Sequence, residues 1–181
     1  GREITKAHQG LLNKNIKNKV VMVTGAGGSI GSELCSHILK YEPESLVMLD
    51  CGENYLHDLK VALIPEVKNT KTHYLFCSIT NKEKMQSIFN LHEPHLVFHA
   101  AAHKHVPLLE ENVDEAIHNN IYGTKVTAEI SSACGVEKFV MVSTDKVVNP
   151  ISIMGMTKKV AEKYIRLMAR QSMTQFITVR F

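Results

Sequence analysis

The chain is 181 residues long, with 44% hydrophobic residues, 22% charged residues and a formal net charge of +3 at pH 7. This length suits one domain with a core of its own, and so small a charge gives no indication of nucleic-acid binding. The four cysteines form no C-x-x-C pair, which argues against a zinc site or a redox pair. No apolar run approaches the roughly 18 residues that span a bilayer, so a soluble domain is predicted. The scattered cysteines are predicted to be reduced thiols.

Residues 1–18 are polar and rich in asparagine and lysine, and we interpret them as a lead-in segment. From Lys19 onward, short apolar runs alternate with segments of helical periodicity, which is typical of a doubly wound parallel sheet. Six strands are predicted, at residues 20–24, 46–49, 73–77, 95–99, 138–142 and 176–179. Helices are predicted at residues 29–41, 53–63, 81–91, 113–134 and 155–171. The expected structure is an α/β Rossmann fold over residues 19–181.

The sequence ends at Phe181, directly after the sixth predicted strand. Few residues remain after the sheet to form a substrate pocket. We therefore expect a fragment that lacks a C-terminal substrate-binding region.

The loop after the first strand holds three glycines, Gly25, Gly28 and Gly31, in G-x-x-G-x-x-G spacing. Such glycines allow a tight turn, close approach of the backbone to a pyrophosphate and close packing of a helix on a strand. The helix that begins near Ser29 and Ile30 would offer free N–H groups and its positive dipole end to the phosphates. The loop therefore predicts dinucleotide binding, with a plain structural turn as the alternative.

Asp50 closes the second predicted strand about 20 residues after Gly31, the spacing expected of a carboxylate that binds the adenosine ribose. Its charge repels a 2′-phosphate, and Cys51 beside it supplies no positive charge. NAD is therefore favoured as the cofactor, with NADP as the alternative. A solvated aspartate that caps the next helix is the alternative to ribose binding. Ser78 and Ile79 follow the third strand, where such folds usually hold the adenine.

Four segments, at residues 24–34, 98–108, 143–150 and 154–158, carry a resemblance to a known family. The chain resembles the extended short-chain dehydrogenase/reductase superfamily and, more narrowly, the bacterial UDP-N-acetylglucosamine 4,6-dehydratases of polysaccharide and glycan biosynthesis. The last segment normally carries Tyr-x-x-x-Lys, whereas this chain has methionine in the tyrosine position. That methionine is a trait of the long, membrane-anchored branch. The resemblance implies a cytoplasmic domain of a protein anchored in the bacterial inner membrane.

The resemblance also implies NAD as the cofactor, a UDP-sugar as the substrate and an internal redox cycle. Hydride leaves C-4 of the sugar for NAD⁺, the ketone acidifies C-5, water is lost across C-5 and C-6, and hydride returns to C-6. Asp145 is expected to act as the acid and Lys146 as the base of the elimination. Thr144 is expected to hydrogen-bond the substrate near C-4, and Lys158 to bind the nicotinamide ribose. Met154 can neither give nor take a proton, so it can only shape the pocket. The proton of the C-4 hydroxyl must therefore pass to another group when the hydride leaves, and Asp145 or a water molecule are the candidates.

This assignment places physical demands on Asp145 and Lys146. Adjacent residues on a strand point to opposite faces, so both can reach one substrate only if the backbone turns at the strand end. Asp145 must hold a proton near neutrality, which requires burial to raise its pKa against the effect of Lys146. Lys146 must act without its charge, which requires desolvation. A solvated pair that follows a strand is the alternative interpretation.

Two further motifs are expected near the cofactor. Ala100, Ala101 and Ala102 follow the fourth strand, and their small side chains would let the backbone approach the nicotinamide side of the cofactor. Simple packing of a strand on a loop is the alternative. Asn120 resembles the family asparagine that steadies the active site, and we count it with the cofactor-binding residues. An ordinary helix asparagine is the alternative there.

His99, His103 and His105 lie close together in the sequence and raise the alternative of a metal site. The end of a strand would scatter such side chains, and no carboxylate joins the run until Glu110, so no metal is predicted. Two alternatives to a dehydratase stay open: a nucleotide-sugar epimerase, which would need no Asp-Lys pair, and a catalytically silent NAD-binding module. A homo-oligomer also stays open, whereas neither nucleic acid nor the membrane itself is expected to bind this chain.

Overall fold

One sheet of six parallel strands organises the molecule. The structure is a computed structural model, and it describes residues 9–67 and 69–181. The strands are β1 (Val20–Thr24), β2 (Ser45–Asp50), β3 (Lys71–Phe76), β4 (Leu96–His99), β5 (Lys138–Ser143) and β6 (Gln175–Arg180). Their order across the sheet is β3-β2-β1-β4-β5-β6, which confirms the predicted doubly wound fold. The order reverses between β1 and β4, and a ligand crevice is expected at the carboxyl ends of the strands there.

Eight α-helices lie in the described part of the chain. They are α1 (Gln9–Ile16), α2 (Ser29–Leu39), α3 (Glu53–Leu63), α4 (Lys82–His92), α5 (Val106–Glu111), α6 (Val113–Ile117), α7 (Thr124–Ala133) and α8 (Ile153–Gln171). Two of them, α1 and α5, were not predicted. Helix α1 falls in the predicted lead-in segment, of which residues 1–8 lie outside the described residues, and it buries Ile16 against the sheet. None of these eight helices is long and apolar enough to cross a membrane.

The helix predicted over residues 113–134 consists of three successive pieces. Between α6 and α7 the backbone forms a π-helical segment, His118–Gly123. Gly123 ends that segment against the loop that follows β3, since a Cβ on it would lie 2.5 Å from Cδ1 of Ile79. The hydroxyl of Thr124 donates a hydrogen bond to the carbonyl oxygen of Asn120 at 2.7 Å, within this irregular turn. The predicted helix is therefore present, but the prediction of one regular α-helix was wrong. Such π-helical turns are frequent at functional sites.

The sheet has an apolar core on each face, because alternate residues of one strand point to opposite sides. On β1, Met22 packs into one core with Phe89 and Phe139. Its neighbours Val21 and Val23 pack into the other core. Each such fully buried side chain stabilises the fold by about 1.5–3 kcal/mol. This two-sided burial explains why the central strands are apolar along their whole length, and it holds their carboxyl ends in place.

Candidate active site

The glycine loop between β1 and α2 has no room for a side chain at Gly25 or Gly31. Gly25 has a φ of +68°, and a Cβ on it would lie 2.6 Å from the backbone of Ala101. A Cβ on Gly31 would overlap the carbonyl oxygen of Gly25. No side chain of the described residues caps the start of α2, so its first N–H groups remain available to an anion. This geometry fits a pyrophosphate, and the binding role of the loop stays a prediction.

Asp50 lies at the end of β2, beside the glycine loop. Its Oδ2 accepts a hydrogen bond from Gly27 N at 2.9 Å, and its Oδ1 accepts one from Gly52 N at 2.9 Å. Gly52 is the residue that precedes α3, so the carboxylate braces the glycine loop against the start of that helix. Each carboxylate oxygen has a second acceptor position. Asp50 can therefore also accept hydrogen bonds from ribose hydroxyls.

A groove of about 200 Å³ runs along the carboxyl ends of β1, β2 and β4. The predicted cofactor-binding residues that line it are Gly25, Gly28, Asp50, Ser78, Ile79, Ala100, Ala101 and Ala102. The lining residues that were not predicted are Cys51, Tyr55, Cys77, His103 and Asn119. Ser29 lines an adjoining pocket, which shares Gly28, Tyr55, Ala102 and His103 with the groove. Ile30 lines a further pocket beside β5, which is described below. The fold therefore brings most of the predicted cofactor-binding residues into one crevice.

Asn120, which we counted with the cofactor-binding residues, lies behind the groove and not in it. Its Oδ1 accepts a hydrogen bond from His103 N at 2.8 Å. Its Nδ2 donates to the carbonyl oxygen of His103 at 3.0 Å and to the hydroxyl of Thr157 at 3.2 Å. The side chain is completely buried. Asn120 thus joins the loop after β4 to α8. The predicted direct contact with the cofactor does not fit this fully buried position, and the steadying role stays a prediction.

A buried chain of hydrogen bonds joins the ends of β1 and β4 to the start of α7. Because the hydroxyl of Thr124 donates to the carbonyl oxygen of Asn120, its oxygen accepts from His99 Nε2 at 2.9 Å. His99 Nδ1 then carries no proton and accepts from the hydroxyl of Thr24 at 2.8 Å. Burial lowers the pKa of His99 to about 3, and the charge of Lys158 adds to this effect. His99 is therefore a neutral structural link between the loops of the groove.

The three histidines near the end of β4 do not converge. His99 is enclosed in the buried chain, whereas His103 and His105 line surface pockets. Within residues 9–67 and 69–181, no three His, Cys, Asp or Glu side chains are placed to hold a metal ion together.

A second pocket, of about 320 Å³, lies at the carboxyl ends of β4 and β5. It shares Ala100, Ala102 and His103 with the groove, so the two lie side by side. The predicted catalytic residues that line it are Thr144, Lys146, Met154 and Lys158. The chain turns directly after β5 into a single 3₁₀ turn, Asp145–Val147. The backbone turn that the mechanism requires is therefore present, although Asp145 does not line this pocket.

Lys158 and Met154 are buried one helical turn apart near the start of α8. The hydroxyl of Ser152 accepts a backbone N–H of the first turn at 3.2 Å and fixes where α8 begins. Lys158 Nζ donates a hydrogen bond to the carbonyl oxygen of Val142 at 2.8 Å. Burial lowers the pKa of Lys158 to about 8, against the opposing effect of the Glu162 carboxylate. This amine can gain or lose a proton close to neutral pH.

Asp145 lacks the burial and the raised pKa that a proton donor at this position requires. Its side chain is 68% exposed, and that of Lys146 is 61% exposed. A hydrogen bond from the hydroxyl of Thr144 and the ammonium of Lys146, 3.5 Å away, hold the pKa of the Asp145 carboxyl below its usual range. The expected burial and raised pKa are therefore wrong for this chain, and Asp145 is ionised at neutral pH. The pair has the solvated arrangement that we gave as the alternative.

Glu162 is a buried charged residue that the sequence analysis missed. Its Oε1 accepts hydrogen bonds from the Ser143 hydroxyl at 2.7 Å and from Arg180 Nε at 2.9 Å, and its Oε2 accepts one from Arg180 Nη2 at 2.6 Å. These bonds join α8 to β5 and β6. Since Lys158 lies one turn earlier on α8, they also fix where its amine lies. The sequence signal that could have indicated Glu162 is a single carboxylate on the apolar face of the helix predicted over residues 155–171.

Comparison with known proteins identifies the family. The sequence matches the family described as polysaccharide biosynthesis protein over residues 21–181, and the chain belongs to that family. It is 43% identical over its whole length to the probable polysaccharide biosynthesis protein EpsC of Bacillus subtilis, of which it covers 30%. It is 31% identical, over 80% of its length, to an inverting UDP-N-acetylglucosamine 4,6-dehydratase of Campylobacter jejuni, of which it covers 42%. The chain thus spans less than half the length of these relatives.

Solved structures share the fold. A UDP-glucose 4-epimerase from Thermotoga maritima, with UDP-glucose, is 26% identical and matches with a TM-score of 0.76 over 89% of this chain and 54% of that one. A UDP-glucose 4-epimerase from Brucella ovis, in complex with NAD, is 19% identical and matches with a TM-score of 0.75 over 90% of this chain and 51% of that one. Both likenesses support the Rossmann-like fold, and the chain spans about half of each.

Proposed function

We propose that the protein is an NAD-dependent nucleotide-sugar 4,6-dehydratase that converts UDP-N-acetylglucosamine to a UDP-4-keto-6-deoxy sugar for polysaccharide or glycan biosynthesis. One observation carries this proposal: Thr144, Lys146, Met154 and Lys158 line one pocket, and this pocket lies next to the groove beside the glycine loop. A sugar in that pocket would lie next to a dinucleotide in the groove. Membership of the polysaccharide biosynthesis family and similarity to the Campylobacter dehydratase support the reaction class.

The groove supplies the residues that would hold the cofactor. When bound, NAD⁺ accepts a hydride from the sugar and returns it. The glycine loop would bind the pyrophosphate, Asp50 the adenosine ribose and Lys158 the nicotinamide ribose. The charge of Asp50 disfavours a 2′-phosphate, and Cys51 beside it adds no cation. We therefore propose NAD, with NADP as the alternative.

The residues after β5 would carry the proton transfers of water loss. Lys146 removes the proton at C-5 and Asp145 gives its proton to the C-6 hydroxyl, so that one water leaves and a C-5/C-6 double bond forms. Thr144 would hydrogen-bond the sugar near C-4. An ionised Asp145 cannot give a proton and a charged Lys146 cannot take one. The pair must therefore lose its contact with bulk water when the enzyme works.

A nucleotide-sugar epimerase is the second candidate, since a solved structure with this fold is an epimerase with UDP-glucose. An epimerase needs hydride transfer at C-4 but no acid–base pair for water loss. Asp145 and Lys146, directly after β5, therefore favour the dehydratase. A catalytically silent NAD-binding module is a third candidate, supported by Met154 alone. Two lysines in the pocket, Lys146 and Lys158, argue against it.

Mass spectrometry separates these candidates. The full-length protein is incubated with NAD⁺ and UDP-N-acetylglucosamine, and the masses of the nucleotide sugars are measured. A dehydratase predicts a product lighter by one water with no net consumption of NAD⁺, and Lys146→Ala abolishes that product. An unchanged mass with interconversion of the sugar at C-4 would indicate the epimerase. An unchanged mass with no interconversion, in protein that binds NAD⁺, would indicate the silent module.

We further propose that this domain faces the cytoplasm in a protein anchored in the bacterial inner membrane. The support is the resemblance to the long branch of the family, which carries methionine at the position of Met154. Cell fractionation tests this proposal. The full-length protein is expected in the membrane fraction and released by detergent, and recovery in the soluble fraction would contradict it.

A further inference from the structure

Tyr55 presents a large aromatic ring at the mouth of the cofactor groove. It lies in the first turn of α3 and is 62% exposed. Its side chain lines the groove together with Asp50 and Cys51. It also lines the adjoining pocket together with Gly27 and Ser29. Tyr55 therefore borders both the ribose side and the phosphate side of the dinucleotide site.

Contact with two glycines holds Tyr55 in this place. A Cβ on Gly27 would overlap the Cβ of Tyr55, and a Cβ on Gly52 would overlap its ring at Cδ2. The same two glycines donate their backbone N–H groups to the carboxylate of Asp50. Two positions without side chains thus bring an aromatic ring next to the carboxylate that is expected to bind the ribose.

The rest of the described chain offers the Tyr55 ring no aromatic or cationic partner. Residues 9–67 and 69–181 contain four aromatic pairs and two cation–π contacts, and Tyr55 belongs to none of them. By contrast, Tyr122 stacks on His118, and the hydroxyl of Tyr164 donates to Glu129. An exposed aromatic ring beside a ligand groove can bury a large area against the ligand.

We infer that Tyr55 contacts the cofactor, with its ring packed against the adenosine half of the bound dinucleotide, beside the ribose that Asp50 binds. The inference rests on the dinucleotide site proposed above and identifies a residue of this chain that sets its affinity. Neither the glycine motif nor the strand pattern indicates this residue. An exposed tyrosine without a binding role is the simpler interpretation, and binding measurements distinguish the two.

Isothermal titration calorimetry with NAD⁺ and with ADP tests the inference on Tyr55→Ala and Tyr55→Phe. His57→Ala is the matched control, since His57 is an exposed residue of the same helix that lines neither pocket. Tyr55→Ala is expected to weaken both ligands by about tenfold, the size of a stacking contact. Tyr55→Phe keeps the ring and should stay within about threefold of the wild type. His57→Ala should change neither affinity, and all variants should keep their melting temperature.

Each outcome decides a separate point. If Tyr55→Ala binds both ligands within about twofold of the wild type, the inference is wrong while the dinucleotide site stands. If NAD⁺ binding weakens and ADP binding does not, the contact is with the nicotinamide half and the inference is also wrong. A wild-type chain that binds neither NAD⁺ nor ADP would overturn the cofactor site of the proposed function together with this inference.

Discussion

The two ends of the site are built in different ways. At the proposed dinucleotide end, which the glycine loop and Asp50 form, the Asp50 carboxylate accepts two backbone N–H groups, and His99 lies fully buried between two threonine hydroxyls. At the β5 end, Asp145 and Lys146 are exposed and interact mainly with each other and with Thr144. The groove beside the glycine loop is therefore fixed by packing within this chain. The proposed acid–base pair, by contrast, does not have the desolvated surroundings that the proposed chemistry needs.

Two lysines that line the same pocket, Lys158 and Lys146, differ in burial in the same way. Lys158 is 6% exposed and donates to the carbonyl oxygen of Val142, and burial lowers its pKa to about 8. Lys146 lines the same pocket, but its side chain is 61% exposed. Burial by α8 and β5 accounts for the difference. Lys158 therefore belongs with the preorganised dinucleotide end, although it faces the β5 pocket.

The largest expected effect comes from breaking the dinucleotide end with Gly25→Ala. The control is Gly135→Ala, because Gly135 also has a positive φ, +70°, but nothing lies within 4 Å of an added Cβ. Both variants should lose about 1–2 kcal/mol of unfolding free energy to the backbone conformation. Gly25→Ala should lose about 1–3 kcal/mol more through overlap with the backbone of Ala101.

Urea denaturation and NAD⁺ titration check this prediction together. Gly25→Ala should bind NAD⁺ at least about tenfold more weakly, since the loop must shift to fit the added carbon. Gly135→Ala should bind like the wild type. Equal losses of stability and affinity in the two variants would contradict the steric account of the loop.

A smaller effect is expected from the pH dependence of stability. Burial lowers the pKa of Lys158 from 10.5 to about 8, so the charged amine destabilises the folded state. That destabilisation is fully present below pH 8. Between about pH 8 and 10.5 the unfolded chain binds more protons, so the free energy of unfolding should rise with pH. The rise should reach roughly 3 kcal/mol relative to Lys158→Met.

Lys163→Met serves as the control, since Lys163 is an exposed residue of the same helix. Urea denaturation at several pH values should give it the same pH dependence as the wild type. If the free energies of unfolding of Lys158→Met and the wild type change in parallel from pH 8 to 10.5, the Lys158 amine is not desolvated in solution, contrary to the structure.

The smallest effect is expected at the exposed end. The Asp145 carboxyl should titrate below its usual range, because the Thr144 hydroxyl and the Lys146 ammonium stabilise its ionised form. Carbon-13 NMR of the carboxyl group measures this directly. Thr144→Val and Lys146→Gln should each raise the midpoint. A wild-type midpoint at or above about 3.9 would mean that these two contacts are absent in solution.

The sheet and the position of the glycine loop at its edge could be predicted because they leave strong local signals. Buried parallel strands are apolar along their whole length, and the steric needs of the loop leave Gly25 and Gly31 in the sequence. The two helices that were not predicted, α1 and α5, leave weaker signals in the sequence. Helix α1 is polar except for a few positions such as Ile16, and α5 is only six residues long, with Pro107 in its first turn. Packing decides both helices more than local propensity does.

The errors at the site concern properties that only the fold determines. The π-helical segment around Asn120 changes the backbone within a run that remains helical in composition, so side-chain periodicity does not reveal it. The exposure of Asp145 depends on how the chain turns after β5, and a motif carries no information on solvent. Tyr55 has the spacing of an ordinary surface position, and its place at the groove appears only when α3 is packed beside the glycine loop.

Titration of NAD⁺ into the chain, beside Asp145→Asn and Lys146→Ala, tests the division of the site most directly. The account predicts saturable binding at one site, with both variants within about threefold of the wild type, below roughly 1 kcal/mol. Absence of saturable binding to the wild type would contradict the dinucleotide groove. A tenfold or larger loss in either variant would contradict the separation of the groove from the acid–base pair.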